Sequence, residues 1–378
     1  MSRRDWRERR GLPLWVMALA MALLAGCAAD KPKPTPLDVV SPQMSVRLVW
    51  QSRLDSVKFP LAVSERGGAF IVAGSDGSVM ALDANSGAPS WRGQAGNTLS
   101  AGVGSDGRFA AVVTRDNELV VLDQGERRWS TRLASRTTTA PLVAGERVFV
   151  IGVDRVVHAF DALDGRRLWT LQRPGEALTL AQPGVLMAYK DTLVAGLGAV
   201  AVGIDPTKGS VRWEVAITSP RGTNEVERLN DLVGPMLRVG DMLCARAFQT
   251  AVGCIDAGRT ALRWSRNSGG YQAVGGDADL VFGADGTDRI SAWRAGNGDL
   301  AWTNERLLYR ALSAPLALGR AVVFGDLEGQ LHFLARDDGH LLLRLPTDGS
   351  PVAAQPVRSG NVFLVATRNG GLFAFRVE

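Results

Sequence analysis

Cysteine, histidine and tyrosine are all scarce, with three of each in 378 residues. His158, His332 and His340 stand too far apart for an HxxxH-type ligand pair, and no acidic cluster surrounds them, so the sequence offers no metal site. No CxxC occurs, which removes thioredoxin-like redox chemistry. No nucleophile–base arrangement stands out either, so no residue is assigned a catalytic role and no cofactor is implied. A charge excess is missing where it would matter. The formal net charge is +5, but Arg3, Arg4, Arg7, Arg9 and Arg10 against Asp5 and Glu8 place three of those charges within residues 1–26. The nearly neutral remainder gives no electrostatic footing for nucleic acid. Helical periodicity is absent outside the same N-terminal stretch. "GLGAVA" at 196–201 imitates a dinucleotide fingerprint, yet it runs on as a strand towards Asp205 where a helix would be required.

The one long apolar run is "LPLWVMALAMALLAGC", behind the arginines and short for a membrane span. It reads as a signal peptide over 1–26. Its ending, Leu24-Ala25-Gly26-Cys27, resembles the lipobox of bacterial lipoproteins, which implies that Cys27 becomes the acylated N-terminus. Ala28 and Ala29 follow with no aspartate, a pattern favouring the outer membrane and an oxidising compartment. Residues 27–45, Pro- and Lys-rich without periodicity, read as the lipidated cysteine and a flexible tether.

Residues 46–378 repeat. Trp50, Trp91, Trp129, Trp169, Trp213, Trp264 and Trp302 recur, with Leu343 next, at intervals of 41, 38, 40, 44, 51, 38 and 41. Each unit carries short β-type runs such as "AFIVAG" and "SVMALD" separated by Gly/Asp/Asn turns. Four short strands in about forty residues is the dimension of a propeller blade. The phrase Asp83-Gly87-Trp91 returns as Asp161-Gly165-Trp169 and Asp205-Gly209-Trp213. The aspartate caps a turn, the glycine takes a positive φ, and the tryptophan wedges between blades. Trp50 lacks a preceding turn, and the C-terminal "GLFAFRVE" stops before an outer strand. The expectation is an all-β, eight-bladed β-propeller of four-stranded antiparallel blades, its ring closed by the N-terminal strand joining the last blade.

Two stretches break the repeat. The 51-residue interval holds "ITSPRGTNEVERLNDLVGP", and "LQRPGEALTLAQPG" fills 171–184. Irregular loops on a rigid frame are where binding concentrates. Cys244 and Cys254 lie symmetrically about Gln249 in a hairpin-like segment, as a cross-strand disulfide or as two buried thiols.

The Asp-Gly-Trp phrase resembles the repeat of quinoprotein-like propellers. With the lipobox, "NEVERLNDL" at 224–232, "LLYRALSAPLALGRAVVFGDLEGQLHFL" at 307–334 and "ATRNGGLFAF", the whole chain resembles the propeller lipoproteins of the bacterial outer-membrane β-barrel assembly machinery. That resemblance implies a non-enzymatic scaffold, lipid-anchored at the periplasmic face of the outer membrane. Its partner would be the barrel-inserting subunit BamA, with unfolded outer-membrane proteins as further contacts. It implies two contact segments. Leu178-Thr179-Leu180 matches a Leu-x-Leu-Arg stretch, with Ala181 at the arginine position. Arg228, Leu229 and Asp231 match Arg-Leu-x-Asp-x-Asp, with Val233 at the second aspartate. The leucines would be apolar anchors, and Arg228 and Asp231 a charged rim. A quinoprotein dehydrogenase would want adjacent cysteines and acidic calcium ligands, which are missing. A cell-wall-binding propeller would want more exposed aromatics.

Overall fold

The computed structural model describes residues 32–173, 179–219, 223–224 and 228–378. The described residues contain no helix, and their strands form eight four-stranded antiparallel sheets. Blade 1 takes Ser64–Arg66, Ala69–Ala73, Ser78–Asp83 and Pro89–Gln94, in that order from the innermost strand outwards. Blades 2 to 7 repeat the order up to Leu341–Pro346. Blade 8 combines Val357–Ser359, Val362–Ala366 and Gly371–Val377 with the N-terminal strand Val46–Arg53 as its outermost member. Seven residue pairs, from Val46–Val377 to Arg53–Gly371, close the ring. The architecture is the eight-bladed propeller anticipated from the spacing.

The middle strands are buried on both faces, which explains why "AFIVA" and "SVMAL" read as unbroken apolar runs. A one-faced sheet would alternate. Outer strands alternate as expected, and each of blades 1 to 7 has a β-bulge at the same place in its outer pair. Examples are the shifts at Ala81/Leu82 in blade 1 and Ala159/Phe160 in blade 3. A bulge re-aims the neighbouring side chain.

Here that side chain is the repeat tryptophan, which reaches the next blade. The Trp129 indole lies over Gly165, Trp169 over Gly209, Trp264 over Gly298 and Trp302 over Gly339, while Trp50 of the closing strand lies over Gly87. In each case the indole nitrogen also donates to a carbonyl in that turn, from Trp50 to Ala84 at 2.9 Å through to Trp302 to Arg336 at 2.8 Å. A Cβ on Gly209 would stand 2.6 Å from the Trp169 ring, and φ there is +72°. The glycine therefore serves the neighbouring blade's tryptophan as well as its own turn. Asp83, Asp161 and Asp205 cap these turns, accepting from the backbone N–H groups of Ser86, Leu163 and Lys208. Turn donors and Arg212 hold the Asp205 carboxyl down at about 2. Two joints differ. Blade 2 has the tight turn Gln124-Gly125, and blade 5 has Thr260 at the glycine position with φ +52°.

Cys244 and Cys254 face each other on neighbouring strands of blade 5, 4.0 Å apart at Cα, and are joined as a disulfide. Residues 35–45, expected to belong to a flexible tether, lie along blades 6 and 7 instead. Thr35 N–H donates to Leu308 at 3.0 Å, Gln43 N–H donates to Leu342 at 2.8 Å, Leu37 packs on the blade 6–7 core, and Met44 is buried. The physical reason is that backbone hydrogen bonds, Leu37 and Met44 hold this segment, and none of these leaves a periodic signature in the sequence.

Gly209→Ala is expected to cost about 2–4 kcal/mol, whereas Gly240→Ala, whose added Cβ meets nothing, costs only about 1 for its φ. Equal losses in thermal unfolding would mean that the indole contact adds nothing. Replacing both Cys244 and Cys254 by alanine should lower stability by about 2–3 kcal/mol in urea titration, since the bridge closes a loop with a sequence separation of 10.

Candidate protein-binding site

The two irregular links leave the outer strands of blades 3 and 4 and meet on one face of the ring. Asp231 joins them. One carboxylate oxygen accepts the Leu180 N–H at 3.0 Å, and the other accepts an Arg155 N–H at 2.8 Å. Arg155 comes from the hairpin of blade 3, with a left-handed backbone at φ +60°. Both side chains are about 15% exposed, at 14% and 15%, so solvent screens the pair little. Thr179 donates through its hydroxyl to Val153 O at 2.8 Å, and Phe248 N–H donates to Asp231 O at 3.0 Å. Further bonds fix the rest of the first link: Gly184 N–H to the Thr139 hydroxyl at 2.8 Å, and Gly234 N–H to Pro183 O at 2.9 Å. The link is thus built into blades 3, 4 and 5.

The residues expected to act together are largely brought together. Thr179, Leu180 and Asp231 share one cluster, and Arg228 and Leu229 lie half-buried beside it. Leu178 lies outside the described residues. The charged-rim expectation needs correcting for Asp231: both of its oxygens face donors of this chain, and its role is to position Leu180. The departure at Val233 also acquires a reason. Val233 is buried with Ala273 and Ala314, where an aspartate would be a desolvated charge. The cation paired with Asp231 is Arg155 of blade 3. Arg173, the other arginine near this stretch, pairs with Glu214.

Sequence reasoning missed three neighbours. Leu180 and Phe248 pack against the Val233–Ala273–Ala314 cluster, and Tyr271, 45% exposed, sits 5.9 Å from the Phe248 ring. Beneath them Arg246 is fully buried, donating to the carbonyls of Ser268, Gly269, Gln272 and Ala284. Burial pulls its pKa down to about 10, so it remains charged at neutral pH. No short motif announces these contacts, because they join residues 22 to 38 positions apart.

The link also walls a channel of about 460 Å³, lined by Phe59, Leu61, Met187, Met236 and Tyr271 among others, with Lys58 and Arg368 as its charged residues. Among the described residues no carboxylate lines it, and no group of three His, Cys, Asp or Glu could hold a metal ion. An apolar, half-exposed shelf whose Asp231 carboxylate is held by donors of this chain is suited to binding a protein surface.

The fold and shelf define a propeller of the quinoprotein-like repeat class. The family model described as "Outer membrane protein assembly factor BamB" matches residues 75–304. The chain is 36% identical over 366 residues to the protein of that name from Burkholderia pseudomallei, covering 95% of this chain and 96% of the relative. It is 34% identical over 373 residues to that from Bordetella pertussis, covering 96% of each. The chain therefore belongs to the BamB family. Among solved structures, BamB from Moraxella catarrhalis shares the fold at TM-score 0.80 and 22% identity, covering 88% of this chain and all of that one. Quinohemoprotein alcohol dehydrogenase from Comamonas testosteroni shares it more loosely, at TM-score 0.63 and 16% identity, with 88% and 76% covered.

Asp231→Ala should loosen the first link without unfolding the ring. The expected result is at least tenfold faster amide exchange at Leu180 with an unchanged circular dichroism spectrum; unaltered exchange would remove Asp231 from the positioning role.

Proposed function

We propose that this chain is a non-enzymatic scaffold lipoprotein of the outer-membrane β-barrel assembly machinery. Its signal peptide ends at residue 26, Cys27 carries the lipid anchor, and the propeller works at the periplasmic face of the outer membrane. The shelf built from 179–184 and 228–232 binds the periplasmic part of BamA. The observation carrying this reading is the convergence of both irregular links on Asp231, which preorganises Leu180 on an otherwise regular ring. Preorganisation spares the ordering cost that a loose loop would incur on binding. Family membership supports the setting. The scaffold orients its partner while unfolded barrel proteins are handed over.

Co-purification from gently solubilised native membranes tests this. Wild type should bring down BamA, and Leu180→Asp, which puts a charge on the apolar shelf, should recover at least tenfold less at unchanged thermal stability. Equal recovery would move the interface elsewhere. Failure of the wild type to recover BamA, under conditions that keep the other subunits together, would refute the role.

A further inference from the structure

Blade 7 hides a cluster of ionisable groups that the binding site does not use. His332, in the third strand, is fully buried, Asp326 is 1% exposed and Arg310 is 2% exposed. His332 Nε2 lies 2.9 Å from an Asp326 carboxylate oxygen that also accepts from Arg310 at 2.7 Å. On the other side of the ring, Arg344 Nε donates to His332 Nδ1 at 3.2 Å. An arginine N–H can only donate, so Nδ1 must be the accepting nitrogen and the proton sits on Nε2, facing Asp326. The imidazole is therefore neutral.

Both arginines reach further, to the segment 35–45. Arg344 donates to Asp38 O at 2.7 Å, Arg310 donates to Thr35 O at 3.0 Å, and Arg306 pairs with the Asp38 carboxylate at 3.3 Å. Arg310 also pairs with Glu328, and among the described residues no other charged group faces the imidazole. The state of one buried histidine is thus linked through Arg344 to the hold on the N-terminal segment.

We propose that His332 is an acid-sensitive latch: protonation of its Nδ1 expels Arg344 and releases residues 35–45 from blades 6 and 7. The added proton turns an acceptor into a donor directly opposite the Arg344 N–H and sets two cations in contact, while the Nε2–H bond to Asp326 survives. Burial holds the imidazole below its ordinary range although Asp326 pulls the other way. The latch is therefore closed at neutral pH, and it opens as pH falls below the unperturbed imidazole value of about 6.5. Release frees eleven residues, on the order of 35–40 Å of extended chain. With Cys27 as the proposed anchor, that is a longer leash for the propeller; the latch itself does not depend on that anchor.

Hydrogen–deuterium exchange of the full-length protein, corrected for intrinsic rates, tests the latch at about pH 7.5 and about pH 5. In wild type, residues 35–45 should lose protection at least tenfold at the lower pH. His332→Gln should keep it at both, and His340→Gln should behave as wild type, although His340 touches Gln43. Unchanged protection in wild type at about pH 5, or equal loss in His332→Gln, would overturn the proposal, as would retained protection in His340→Gln. Should His332→Gln fail to fold, Arg344→Met decides: its arm should be unprotected already at about pH 7.5, and retained protection there would overturn the latch.

Discussion

Everything in this molecule depends on a tryptophan lying on a glycine one blade away. A propeller has no single core. Each sheet must bury both faces against its neighbours, and the joints must repeat at a fixed angle or the ring will not close. The indole supplies area and direction together, because its ring needs the missing Cβ of Gly165 or Gly209 and its N–H needs the carbonyl of Ala162 or Pro206. The bulge before each tryptophan aims it, and the aspartate holds the receiving turn in shape. The ring ends are sealed the same way: Trp50, the first of the series, completes blade 8 and locks onto blade 1.

Much of this was legible in the sequence because the constraint is local in spacing. A tryptophan near every fortieth residue and a glycine four places after a turn-capping aspartate give blade number and closure without any contact information. What the spacing hid was direction: Gly87 looks like the partner of Trp91 in sequence, yet it receives Trp50. The joints that depart from the rule, at Gly125 and Thr260, likewise needed coordinates, since a two-residue turn and a threonine in the left-handed region leave the period almost intact.

The site shows the opposite balance. Its location was visible as a break in the period, but the roles of its residues were not. Asp231 looked like an exposed charge because no residue adjacent in sequence pairs with it. Its partners are 51 and 76 positions away. Segment 35–45 misled for a similar reason: composition suggested a free tether, and only folding brings Arg310, Arg320 and Arg344 to its carbonyls. Long-range hydrogen bonds to backbone leave no trace in a pattern of side-chain types. Regular blades thus serve as the frame, and the specific chemistry sits in the links that escape the repeat.

The claim that function resides in those links can be tested in place by a photocrosslinking residue at position 180, with one at position 300 on the exposed outer strand of blade 6 as the comparison. The account expects a covalent adduct with BamA from position 180 and none from position 300 in intact cells. Adducts from position 300 alone, or equal yields from both, would contradict it and return the binding surface to the regular part of the ring.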